Sequence, residues 1–588
     1  MKNINKQYLF TKYLLYKQMG GGYKWSTLEH NGVLFPPEYV PHNILFTYDN
    51  ELIKLSPLAE EAVMLYVRFI GTDYVQNKTF NKNFFNDWKK ILGKDSPIQS
   101  FDLCNFSQYR QKYLDDKEMK KNMKNSDSAS NITILSDKEI VSSDRPVGDL
   151  DEIDSRNILS EISRISSENI PESEKKYKVA YIDGKEQFIG NYRIEPPGIF
   201  LGRGSNPNIG KIKKRIYPED ITINIGKEAK VPELPDFMKG HKWGKIIHDR
   251  HVEWLASWPD TITGKPKYVW LGGNSDIKAS HDREKFDLAR KLKRKIEFIR
   301  QENEKNLFSD DVKMKQVATA LFFIDKFALR VGNEKGDDSA DTVGVSTLRV
   351  EHINLLDNNI IELDFLGKDS VPYYNKLTVE PIIYKNLQLF IKGKNKNEQI
   401  FDKITSNDIN KYLQSFMKDL TAKLFRTFNA SNLFQKELKK IRKKYEGNQN
   451  IDMETLIIEF NKANLMVAEK LNHQKDVKKK SNNTQLDRLD EQIKKAKSKL
   501  RKLKSSGVKN KTEKIEIIRK KIKKLRLKKE LKSDTGSLSL GTSKTNYIDP
   551  RVIVAYAKHF NIPIEKFFTK VLQEKFKWAM DVDATYRF

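Results

Sequence analysis

At 588 residues the chain is longer than one hydrophobic core supports, so several domains are expected. Lys and Arg number 107 against 79 Asp and Glu, and the net charge of +28 points to a polyanionic partner, nucleic acid before a membrane surface. The single cysteine, Cys104, excludes an internal disulfide framework and a cysteine-based zinc site, and no apolar run reaches the roughly 20 residues that span a bilayer.

The first 22 residues, "MKNINKQYLFTKYLLYKQMGGG", contain no acidic residue and read as a disordered basic arm, with organelle targeting as the alternative. Residues 23–274 read as a folded, mixed α/β region. Within it, Ser126 to Glu174 holds twelve acidic residues, four basic ones and twelve serines, the composition of a disordered insertion. Order resumes at "KYKVAYIDGKEQFIG", where two alternating runs flank a "DG" turn, and "VEWLASW" and "PKYVWLGG" continue the strand pattern.

From residue 275 to 474 the pattern turns helical. "VATALFFIDKFALRVGNEK" reads as a buried helix running to about Gly332, with Arg330 at its end. "NIIELDFLGKDSVPYYNKLTVE" reads as a hairpin with Lys368 at its tip. Ser406 is expected to cap a helix built on Ile409, Leu413, Phe416 and Leu420 that delivers Arg426 near its end, and the helix at "METLIIEFNKANLMVAEKLNHQK" is expected to deliver His473. Residues 475–538 follow as a basic linker. Between Lys475 and Ser533 it carries 24 Lys and Arg against 7 Asp and Glu. Leu486, Leu489, Ile493, Ala496, Leu500 and Leu503 form one heptad seam, and Ile515, Ile518, Ile522 and Leu525 form another. Two such helices around "SSGVKN" predict an antiparallel coiled coil. Residues 539–588 form a last domain, where Asp549 and Pro550 are suited to N-cap and first helical positions. Tyr547 then lies on an exposed connecting loop.

No HExxH, CxxC or GxSxG occurs, and "GRGSNPNIGK" fails the phosphate-loop spacing, so a nucleotide-driven motor is not expected. What remains is a set of cations and one tyrosine. Two guanidiniums and an imidazole can stabilise the charge that develops on a phosphodiester under attack, a tyrosine can supply the attacking oxygen, and a lysine can protonate the departing one. Taken singly, each of these residues is an ordinary structural one.

The stretches "RVGNEK", "DFLGKDS", "KLFRTFNAS", "LNHQ" and "SKTNYIDPR" resemble those of the eukaryotic type IB DNA topoisomerases. The likeness extends through "YKWSTLEHNG", "RIEPPGIFLGRG", "PEDITINI" and "QEKFKWAMD". It covers nearly the whole chain from Tyr23, although the family's long charged N-terminal region is nearly absent and the acidic insertion looks particular to this chain. The resemblance implies an α+β multidomain fold. It is a two-lobed clamp with a mixed α/β cap, a mainly helical core of the tyrosine recombinase and topoisomerase IB type, a coiled-coil linker and a small helical C-terminal domain. It also implies a monomer that relaxes supercoiled duplex DNA of either sign through a 3′-phosphotyrosyl intermediate, without ATP, an essential metal or a membrane. A nuclear location is implied, with an organelle as the alternative.

By the same resemblance Tyr547 is the nucleophile, Arg330 and Arg426 bind the scissile phosphate, His473 donates to a nonbridging oxygen, and Lys368 protonates the leaving 5′ hydroxyl. Arg203, Asp369, Asn546, Lys214 and Arg215 are expected to contact DNA or support the site. A tyrosine recombinase is the nearest rival, but it places histidine where this chain has Lys423. A non-catalytic architectural DNA-binding protein would account for the charge and not for Tyr547.

Overall fold

The computed structural model describes residues 23–126, 172–202, 204–334, 340–447, 451–474, 479–505, 511–534 and 538–588. The expected basic arm at 1–22, Arg203 and almost all of the acidic stretch lie outside them. The chain divides into two compact units, residues 206–278 with most of what precedes them forming the first, and Ala279–Phe588 the bulk of the second.

The first unit has two cores. One gathers Phe46, Tyr66, Phe80, Phe84, Trp88 and Tyr109. These come from α1 (Pro57–Val67), α2 (Lys78–Leu92), α3 (Ser107–Ser126) and a three-stranded sheet of Phe46–Tyr48, Glu51–Ile53 and Cys104–Asn105. The other packs Trp25, Leu28, Ile223, Leu255 and Trp258 between a three-stranded and a four-stranded sheet. The expected hairpin is present, Val179–Ile182 pairing antiparallel with Lys185–Phe188, and its turn residues Asp183 and Gly184 both have positive φ, at 50° and 75°. That geometry matches the right-handed twist of the strands and explains the "DG" pair.

Two boundaries of the acidic stretch move inward. Ser126 still belongs to α3, and Glu172–Lys175 is already a helical turn. Glu174 is 5% exposed and pairs with Arg193 at 2.6 Å, so it serves the core rather than a solvated insertion. Gly210, in the stretch that imitates a phosphate loop, packs so tightly on α2 that a Cβ there would lie 2.1 Å from the Phe80 carbonyl oxygen. Its glycine is a packing requirement.

The second unit is mainly helical: α4 (Asp276–Asn306), α5 (Val312–Lys326), α6 (Pro381–Ile391), α7 (Ser406–Phe416), α8 (Ala422–Lys444), α9 (Met453–Lys470), α10 (Lys479–Ser505), α11 (Lys511–Asp534), α12 (Leu540–Asn546), α13 (Pro550–His559) and α14 (Lys570–Lys575). One three-stranded sheet interrupts it, with Ile360–Leu366 pairing to Pro372–Thr378 around a 3-10 turn at Lys368–Ser370, the expected hairpin. Three helix limits differ from expectation. α5 ends at Lys326, because Ala328 takes a left-handed φ of 53° and the chain leaves the helix there. The cap of α7 is Thr405, whose hydroxyl accepts from the Asp408 amide. α7 also stops at Phe416, where Met417 turns extended and Asp419 has a φ of 63°, so Arg426 sits instead in the first turns of α8.

α10 and α11 form a hairpin whose seam buries Ile493, Ala496, Ile518, Ile522 and Leu525, with Leu489, Leu500 and Leu503 packed beside them. Off the seam, Ile517 is exposed. No described helix is long and apolar enough to cross a membrane.

Candidate active site

The second unit brings four of the expected residues together. Arg330 donates from Nη1 to the Tyr547 hydroxyl at 3.3 Å. The Arg426 guanidinium lies 5.3 Å from the Tyr547 ring centre, and the His473 ring lies 5.1 Å from it at a tilt of 33°.

Each side chain is fixed by its backbone. Arg330 follows the left-handed Ala328 in an extended segment strapped to Val345 and Ser346, whose amides donate to the Arg330 and Val331 carbonyls at 2.9 and 2.7 Å. The strap is tight at Gly344, where a Cβ would come within 2.4 Å of the Gly332 nitrogen. Arg426, 4% exposed, donates to the Ala328 carbonyl and, at 3.0 Å, to the Leu471 carbonyl. One acceptor belongs to Ala328, itself left-handed at φ 53°, and the other, on Leu471, immediately precedes the left-handed Asn472 at φ 50°. A non-glycine residue held there costs about 1–3 kcal/mol, strain that aims two carbonyls at one buried guanidinium. His473, three residues past α9, hydrogen-bonds through Nδ1 with the Ser543 hydroxyl at 2.8 Å.

Tyr547 is not exposed as expected. It is 5% exposed and caps α12, a helix that the sequence of small and β-branched residues does not announce. α12 forms because α9 holds it: the Asn464 side chain donates to the Leu540 carbonyl at 3.0 Å, and Ser543 is fully buried. The Tyr547 and Ile548 amides both donate to the Ser543 carbonyl, at 3.0 and 2.9 Å. Ser431, buried in α8, donates to the Tyr547 carbonyl at 2.9 Å and accepts from the Asp549 amide at 3.0 Å. Asp549 caps α13 with Pro550 in its first turn, as expected.

Electrostatics prepare the phenol. Burial raises its pKa, but the charges of Arg426 and Arg330, with a smaller one from the exposed Lys423, outweigh burial and bring it down to about 8. Burial likewise pushes Arg426 below its ordinary range, to about 10, which leaves it charged at neutral pH. Its Nε finds no hydrogen-bond partner among the described residues. A buried cation with an idle donor beside a phenol oxygen is an arrangement that accepts an anion.

Lys368 is exposed at the hairpin tip, Asp369 follows it in the same turn, and Asn546 is half-buried beside Tyr547. Lys214 and Arg215 belong to the first unit, where Arg215 donates to Glu61 at 2.9 Å and to the Pro37 carbonyl at 2.8 Å. Ser431 and Ser543 were not anticipated. Ser543 stands four residues before Tyr547, a spacing that would have drawn attention had α12 been foreseen.

Comparison with known proteins gives three profile matches along the chain. Residues 23–139 and 152–271 match the eukaryotic DNA topoisomerase I DNA-binding fragment, residues 274–507 its catalytic core, and residues 519–588 the C-terminal topoisomerase domain. The human DNA topoisomerase 1 is 38% identical over 96% of this chain and 72% of its own length. The chain belongs to the eukaryotic DNA topoisomerase I family. Within that family, DNA topoisomerase 1 alpha of Arabidopsis thaliana is 40% identical over 97% of this chain, and the Caenorhabditis elegans DNA topoisomerase 1 is 38% identical over 95%. The chain spans about 60% of the length of the Arabidopsis topoisomerase and 67% of the nematode one. The profile for the DNA-binding fragment leaves residues 140–151, inside the acidic stretch, unmatched.

Proposed function

We propose that this chain is a type IB DNA topoisomerase that relaxes positive and negative supercoils of duplex DNA by cutting and resealing one strand. The observation that carries the reading is the buried Tyr547 phenol, hydrogen-bonded by Arg330 and flanked by Arg426 and His473. The Tyr547 oxygen attacks a backbone phosphorus, forming a 3′-phosphotyrosyl bond as the bond to the 5′ oxygen breaks. Arg330, Arg426 and His473 hold the nonbridging oxygens, where the charge grows. Lys368 gives its proton to the departing 5′ oxygen. With a pKa near 8 the phenol can lose its own proton to water, since about one molecule in ten is already ionised at pH 7. One phosphate ester replaces another, so resealing needs no ATP, and no divalent metal is essential.

Arg203, Asp369, Asn546, Lys214 and Arg215 are assigned to DNA contact or site support, Arg215 through its hold on Glu61. The protein acts as a monomeric clamp on supercoiled DNA, with α10 and α11 as a coiled-coil arm beside the duplex, in the nucleus. Lys423 at the position where recombinases carry histidine favours this reading over a recombinase. The test is incubation with negatively and positively supercoiled plasmid in EDTA without ATP. Full relaxation by the wild type and none by Tyr547→Phe, which still binds DNA, is expected; relaxation by Tyr547→Phe at the wild-type rate would overturn the assignment.

A further inference from the structure

We propose that Ser543 is a positioning residue for the reaction: its hydroxyl donates to His473 Nδ1, so that the neutral imidazole carries its proton on Nε2 and presents it as a donor. The inference rests on the function proposed above. Its ground is the 2.8 Å contact between a fully buried hydroxyl and Nδ1.

The direction of that hydrogen bond follows from a count of donors. The Ser543 hydroxyl makes no other hydrogen bond among the described residues. If it accepted a proton from Nδ1, its own hydrogen would be buried without an acceptor, which is the costly way to leave a polar group. If it donates, only oxygen lone pairs stay idle. Donation therefore wins, and it places the imidazole proton on the far nitrogen. The charged side chains nearby have partners of their own. Arg330 is directed to the Tyr547 hydroxyl, and Arg426 to Ala328 and Leu471. On α9, Lys470 donates to the Lys326 carbonyl, and Glu469, raised mainly by burial, also feels the like charge of Asp534. Lys544 of α12 donates to the Phe567 carbonyl at 3.2 Å.

The arrangement has a use that neither contact has alone. The Ser543 carbonyl receives the Tyr547 and Ile548 amides while its hydroxyl holds His473, so one residue sets the nucleophile and the transition-state donor in a single frame. A neutral donor can also work at a pH where Tyr547 begins to ionise, about 8.

Ser543→Ala keeps the backbone carbonyl and removes only the hydroxyl. Single-turnover cleavage of a suicide DNA substrate should slow by about 10–100-fold, the size of loss seen when a metal-bound histidine loses the partner on its other ring nitrogen. DNA affinity and the thermal midpoint should stay near wild type, and Ser543→Thr should recover part of the rate. In a His473→Gln background Ser543→Ala should cost nothing further; equal losses in both backgrounds would reduce Ser543 to a packing role. Nitrogen-15 spectra of wild-type protein labelled at histidine, with His473 assigned by its loss in His473→Gln, should give the Nε2–H tautomer above pH 7. The Nδ1–H tautomer there would overturn the proposal. A wild type that cleaves no DNA would sink the proposed function and leave the tautomer measurement standing by itself.

Discussion

Tyr547 shows how a buried phenol can be made easier to ionise. A buried phenol ordinarily becomes harder to ionise, and here two guanidiniums reverse the sign. The tyrosinate fraction therefore rises as pH increases through about 8, well below the ordinary 10. An ultraviolet pH titration of wild type minus Tyr547→Phe should contain one transition near 8. In Arg426→Gln the largest opposing cation is gone and burial prevails, so that transition should move up and cleavage should fall by about 10²–10³. A difference spectrum without a transition below pH 9 would refute this electrostatic account. Ser431→Ala should cost about 1–3 kcal/mol in denaturant unfolding, since it strips a partner from two buried backbone groups. The tyrosine, Arg330, Arg426 and His473 were legible in the sequence through their motifs. Burial of Tyr547 was not, because it depends on α8, α9 and α12 meeting around it, and nothing local to "SKTNYIDP" records that meeting.

At the scale of elements, the segments whose periodicity is strong read correctly: the hairpin at Lys368, the start of α13 and the seam of α10 and α11. Errors fall where a left-handed residue ends a helix early, at Ala328 and Asp419, since a non-glycine residue in that conformation leaves no mark in composition. α13 illustrates the opposite case, a cap visible in sequence whose partners are not. Asp549, fully buried, binds Arg551 at 2.8 Å and accepts from the Tyr586 hydroxyl at 3.0 Å, while Arg551 reaches Asp287 of α4 at 2.7 Å. Asp549→Ala leaves Arg551 buried without its main partner, and a loss of about 3–5 kcal/mol is expected. Chemical denaturation should record it together with slower cleavage, because α13 anchors the Tyr547 loop. A change under about 1 kcal/mol would mean that Asp287 and Tyr586 suffice for Arg551. In the first unit, His30 is buried between the Gly32 amide, which donates to Nδ1, and the Asn224 carbonyl, which takes the Nε2 proton. Burial lowers its pKa to about 4. The unfolded chain binds the extra proton between about 6.5 and 4, so this contribution to stability is whole above 6.5 and drains away as pH falls. Denaturation midpoints measured across that range should drop in the wild type and drop less in His30→Gln.

At the scale of the whole chain, charge is used locally rather than spread. α11 is fastened to α9 by ion pairs: Lys524 with Asp452 at 3.0 Å and with Glu454, Lys528 with Glu454, and Lys462 with Glu530 at 2.9 Å. These pairs are partly exposed and salt weakens them. Replacing residues 486–525 by a short loop should leave relaxation intact and make it more sensitive to added salt; complete inactivity would show that the arm is needed for folding. The net charge of +28 foretold a polyanion, but which cations meet it could not be read from composition, because most lysines are solvated and the three groups around one phenol are not.

The chain leaves the cluster at Gln474 and returns at Leu538, and those two residues form an antiparallel bridge, with the Ser539 amide donating to the His473 carbonyl at 2.8 Å. The arm is thus pinched off at its base, and its covalent continuity acts only as a tether that raises the local concentration of one half of the site near the other. Severing it between α10 and α11 turns a unimolecular closure into a bimolecular one without removing a contact from the cluster. Activity of the two fragments should then become dependent on dilution, and the concentration at half-activity would measure how strongly α12 and α13 hold to α8 and α9 with the leash cut.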